Sequence, residues 1–157
     1  MTAAASHVAP QAAQVAEYQF EIEIAADRSH VWDAITRQVG QWWLKDFHVL
    51  GAGSDVSLEP VAGGKLIETN GDKSLLWYTV LASMPGEMLS LSGQCTSDWG
   101  GPLTTLLTLK LSDGPKGTVL QVTDSLFGKV SESHVTSTRS GWSQLFDDGL
   151  RAFIEAN

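Results

Sequence analysis

The sequence holds a single cysteine, Cys95, so no intramolecular disulfide is available to staple the fold. That usage is consistent with a reducing compartment. Cys95 itself reads as a small buried hydrophobe on a strand rather than a reactive thiol. Basic residues are scarce as well: 10 Lys and Arg stand against 18 Asp and Glu, a formal net charge of -8. An acidic chain repels phosphate backbones and anionic lipid, and no basic run overrides this, so no nucleic-acid partner is expected. No apolar run approaches the roughly 18 residues of a membrane span. The first sixteen residues lack both a basic n-region and an apolar h-region, so they do not read as a secretory signal. They are expected to form a flexible tail on a cytoplasmic protein.

Catalytic and cofactor motifs are missing too. The four histidines, His7, His30, His48 and His134, include no pair at helical spacing, and there is neither an HExxH nor a paired-Cys motif. Zinc is therefore disfavoured. No GxSxG elbow, GxGxxG turn or phosphate-binding GxxxxGK loop occurs, so the expectation is no cofactor, no metal and no catalytic residue.

What remains is periodicity and tryptophan. A chain of 157 residues suffices for one domain with a proper core, here expected over residues 17–157. In EYQFEIEIA, Tyr18, Phe20, Ile22 and Ile24 alternate with polar residues, the pattern of a half-buried strand. Asp27 or Ser29 can cap a short helix with the stripe Val31, Trp32, Ile35 and Val39, which Gly40 is expected to end. QWWLKDF follows as a second short helical or irregular segment. From Ser54 the texture changes: VSLEP, GKLIE, SLLWYTVLAS, MLSLSGQ, LTTLLTLKLS and TVLQVTDSLF are strands separated by turn-forming clusters. Connections this short imply an antiparallel meander. From Ser131 to Glu155 the period returns to three and four, through Val135, Thr138, Trp142, Leu145, Phe146, Gly149, Leu150, Phe153 and Ile154. This is one long amphipathic helix. The order predicts an α+β domain: a seven-stranded twisted antiparallel sheet wrapped around that helix, with two short helices after the first strand.

Six stretches in this order, HVWDAIT, the QWW pair, EPVAGGKLIE, LASMPGEMLSLSG, KGTVLQVTDS and GWSQLFDDGLRAFIE, carry a resemblance. The sequence resembles the START-like, or SRPBCC, helix-grip superfamily, and within it the bacterial branch related to the activator of the heat-shock-protein-90 ATPase. The resemblance implies a cavity between sheet and helix that takes small hydrophobic molecules. Some branches of the superfamily are cyclases or hydratases, and others act as co-chaperones.

The leading expectation is thus binding of a small hydrophobic, aromatic or lipid-like molecule. Trp42, Trp43, Phe47, Trp77 and Trp142 are candidates for the cavity wall, with plain core packing as the competing reading. Trp142 leads, because it sits on the inward stripe beside the small residues Val135, Thr138 and Gly141. Asp124 falls on the apolar side of its strand by alternation, where it would anchor a ligand, act as an acid or base, or be solvated near the strand end. Arg139 would pair with Asp124 or an acidic ligand group, or simply face water. His48 and His134 could border the cavity, although an edge position is the plainer reading. One alternative is a cyclase- or hydratase-type enzyme using Asp124, Arg139 or Tyr78. The other is an interaction module that forms a homodimer or binds a chaperone, which would need an exposed apolar patch.

Overall fold

The computed structural model describes residues 9–157. Seven strands form one antiparallel sheet: β1 (Gln14–Ile24), β2 (Asp55–Leu58), β3 (Lys65–Asn70), β4 (Lys73–Met84), β5 (Met88–Cys95), β6 (Leu103–Gly114) and β7 (Gly117–Gly128). The spatial order is β1-β7-β6-β5-β4-β3-β2. Strands β2 to β7 are therefore a meander, and β7 returns to pair with β1 along its whole length, from Gln14 opposite Gly128 to Ile24 opposite Thr118. Asn70 pairs with Lys73 across the two-residue Gly71-Asp72 turn.

The strand alternation places apolar residues on the inner face. Tyr18, Ile22 and Ile24 of β1, Leu103, Leu107 and Leu109 of β6, and Leu120, Val122 and Leu126 of β7 are all buried. The expected tail, residues 1–16, is in part outside the described residues, and its last three, Gln14 to Ala16, belong to β1. Pairing with β7 extends that strand beyond its alternating apolar stretch, since backbone hydrogen bonding requires no particular side chain.

Between β1 and β2 lie α1 (Arg28–Thr36), α2 (Val39–Trp42) and a 3-10 turn (Lys45–Phe47). Asp27 caps α1, accepting from the His30 N–H at 2.8 Å. Gly40 does not end a helix, as the sequence suggested, but sits inside α2. A Cβ there would fall 2.6 Å from the Val56 carbonyl oxygen, so this glycine allows α2 to press against β2.

After β7, Ser131 caps α3 (Glu132–Gln144). The chain continues without a break through a π-helical stretch (Leu145–Arg151) into α4 (Ala152–Glu155). These three pieces are the single long helix that the period predicted. The wider π turns take more residues per turn. The inward stripe is kept by Leu145, Phe146, Gly149, Leu150 and Ile154, while Phe153 slips to a half-buried flank. The helix packs across the inner face of the sheet, and Leu150 and Leu120 are fully buried in one core. No helix among the described residues is long and apolar enough to cross a membrane.

Candidate functional site

A cavity of about 240 Å³ opens between the sheet and the N-terminal half of the long helix. The helix contributes His134, Thr138, Gly141, Trp142 and Leu145, and the segment before β2 contributes Trp43 and Phe47. Strand β4 adds Leu75 to Tyr78, and Gln94, Cys95, Trp99, Leu103, Thr105 and Leu126 complete the wall. Its position follows from side-chain size. Small residues on the first turns of the helix stand off the sheet, whereas Leu145, Phe146, Leu150 and Ile154 close on it.

The wall is aromatic and continuous. Trp43 lies 5.3 Å from Trp77 and meets Trp142 edge-on at 6.3 Å, and Trp142 stacks on Phe146 at 5.4 Å. Tyr78 closes the row, 5.8 Å from Trp142. Trp77 and Tyr78 are adjacent in a strand, so strict alternation would send them to opposite faces. The register shifts between Leu66/Tyr78 and Ile67/Leu76, which makes Trp77 the extra residue of a bulge, and both side chains reach the cavity.

Five expected wall residues meet here: Trp43, Phe47, Trp77, Thr138 and Trp142. The other four do not line it. Trp42 is core, its indole N–H donating to the Ala34 carbonyl at 2.6 Å and its ring against Phe146. Val135 is half-buried one turn away, and Arg139 is exposed on the outer side of α3. Asp124 is fully buried in β7, behind the wall. It is not solvated near a strand end and makes no pair with Arg139; Tyr18 donates to its Oδ2 at 2.6 Å and Thr105 donates to Oδ1. The sheet register explains this, since Tyr18 lies opposite Asp124 across β1–β7 and Thr105 sits diagonally across β6–β7.

Burial pushes the Asp124 carboxyl above its ordinary range, against the pull of its Thr105 and Tyr18 hydrogen bonds and of nearby His134. Burial and the Asp124 charge together hold the phenols of Tyr18 and Tyr78 well above theirs, and Cys95 moves up for the same two reasons.

A second buried carboxylate escaped the sequence reading. Glu68 of β3 is fully buried beneath the loop that joins the 3-10 turn to β2. It accepts from the Val49 and Leu50 backbone N–H groups at 2.9 and 2.8 Å, from Ser54 Oγ at 2.8 Å and from the Trp77 indole N–H at 3.1 Å. Burial pushes its pKa up, yet these donors outweigh burial and hold it below the ordinary carboxylate range. Glu68 thereby holds Trp77 in the cavity wall. His48 does not line the cavity but bonds Ser54 Oγ at 2.5 Å and stands 3.7 Å from Glu68. Only an unpredictable loop closure signals Glu68, whereas Thr105 could have been found by extending the strand alternation of β6. Among the described residues no group of three or more His, Cys, Asp or Glu side chains could hold a metal ion.

The model of the family described as Activator of Hsp90 ATPase homolog 1-like protein matches residues 25–155. Solved structures share the architecture. An uncharacterised protein from Rhizobium leguminosarum superposes with a TM-score of 0.71 at 17% identity, covering 93% of this chain and 98% of that one. Ara h 8.0201 does so with a TM-score of 0.67 at 12% identity, covering 92% and 100%. CalU16 from Micromonospora echinospora gives 0.58 at 21% identity, covering 90% and 73%. At these identities the likeness is one of fold. No curated protein matches the chain.

Proposed function

The chain belongs to the Activator of Hsp90 ATPase homolog 1-like family, and from that premise we propose that it binds a small, flat apolar molecule between the sheet and the long helix. The observation that carries this reading is the aromatic wall of the cavity. Trp43, Trp77, Tyr78 and Trp142 offer ring faces and edges to one cavity. An apolar cavity of about 150 Å³ is known to take a benzene ring. A space of about 240 Å³ suits a molecule of one or two fused rings. The START-like fold, whose cavities commonly hold hydrophobic ligands, supports the same reading.

Titration with naphthalene, followed by calorimetry and by tryptophan fluorescence, tests it. Saturable binding is expected, with several tryptophans responding. Replacing Trp142 by Ala removes a stacking surface worth about 0.5–1.5 kcal/mol, so affinity should fall by roughly two- to tenfold. Binding that is unchanged in Trp142→Ala places the ligand elsewhere.

A further inference from the structure

Resting on that ligand-binding reading, we infer that the polar end of the cavity accepts a hydrogen bond, so that Tyr78 selects flat apolar ligands bearing a hydroxyl or N–H donor. Counting protons along one chain of hydrogen bonds leads to this. A carboxylate only accepts, and both Asp124 oxygens do so, Oδ2 from Tyr18 at 2.6 Å and Oδ1 from Thr105. The Thr105 hydroxyl has one proton, and Asp124 takes it. Tyr78 Oη lies 3.2 Å from Thr105 Oγ1, where Thr105 can now only accept. Tyr78 therefore donates its own proton to Thr105, which leaves none for a ligand.

Lone pairs are what its oxygen has left to offer. A hydroxyl oxygen has two, so an acceptor position remains for a ligand. The chain keeps this direction while Asp124 is ionised, and burial holds both phenols protonated. The ring is fixed as well. Tyr78 lies over Gly93, where a Cβ would come within 2.7 Å of a ring carbon, so the phenol rests on bare backbone. Thr105 and Tyr78 both line the cavity, whereas Asp124 sits behind them and sets the polarity without touching the ligand.

The test is calorimetric titration of the full chain at neutral pH with naphthol, methoxynaphthalene and naphthalene. Naphthol is expected to bind about tenfold more tightly than methoxynaphthalene, as one buried hydrogen bond allows. In Tyr78→Phe the preference for naphthol over methoxynaphthalene should vanish. In Thr105→Val the Tyr78 proton is released, so methoxynaphthalene should gain several-fold and the preference should shrink. The selectivity reading is overturned if methoxynaphthalene binds as well as naphthol, or if the preference survives Tyr78→Phe. With naphthalene still bound in a Trp142-dependent way, those results leave the cavity reading intact. If none of the three compounds binds saturably, both readings fall together.

Discussion

Glu68 and Asp124 are equally inaccessible to water, but their carboxyl groups move in opposite directions, Glu68 down and Asp124 up. Burial alone would raise both. The difference lies in the number and kind of donors. Glu68 is met by two backbone N–H groups, a hydroxyl and an indole, four donors converging on one carboxylate. Asp124 is met by two hydroxyls. Backbone and indole N–H groups can only donate, whereas a hydroxyl can rotate and accept instead. One site thus demands a carboxylate, and the other tolerates a neutral group. Asp124 also lies deeper in the protein than Glu68, so depth of burial and hydrogen-bond partners together decide the charge of each acid.

The largest effect should come from Glu68→Gln. The amide keeps one acceptor and points an NH2 group at donors that cannot reverse. A loss of about 2–4 kcal/mol is expected by chemical denaturation, with the Trp77 environment altered in the fluorescence spectrum. A loss below about 1 kcal/mol would mean that the loop over Glu68 opens at little cost and that the two carboxylates are alike. Asp124→Asn should cost less, about 0.5–1.5 kcal/mol, because either hydroxyl can turn to accept from the new amide. A larger loss than at Glu68 would invert the comparison.

The smallest effect is also the most specific, because its sign differs between the two variants. The folded pKa of Glu68 lies below the ordinary value of 4.5. Its contribution is therefore full above about that pH and is lost as the pH falls through the folded pKa, so the deficit of Glu68→Gln should shrink in acid. The folded pKa of Asp124 lies above the ordinary 3.8. Protonation then favours the folded state, with its full contribution below the unfolded pKa and loss as the pH rises through the folded one. The deficit of Asp124→Asn should accordingly grow towards acid. Denaturation curves from pH 3 to pH 7 check both slopes. Parallel profiles for the two variants would remove the distinction.

Much of the fold was legible in the residues. The alternation in Thr118–Phe127 placed Asp124 on the inner face before any partner was known, and the small residues around Trp142 located the cavity along the helix. Trp43, Phe47, Trp77 and Thr138, named from the sequence as candidates, line that space. Trp42 was not separable from Trp43 by pattern, because the two are adjacent and only where α2 ends, between them, decides which indole reaches the cavity. Arg139 lies one turn from Trp142 in sequence, yet on the helix it falls on the exposed side. Glu68, at the end of EPVAGGKLIE, reads as an ordinary polar strand residue.

By itself, then, the sequence determined the order of the elements, the face each strand buries and the stripe of the long helix, since period-two and period-three-to-four patterns are local and repeat over many residues. Only the tertiary structure decided who meets whom. Tyr18 reaches Asp124 across 106 positions of chain, and Val49, Leu50 and Ser54 close over Glu68 through a loop that has no period. Hydrogen bonds between distant segments depend on register, on one bulge at Trp77 and on the path of a loop. These are properties of the assembled sheet, and no local pattern encodes them.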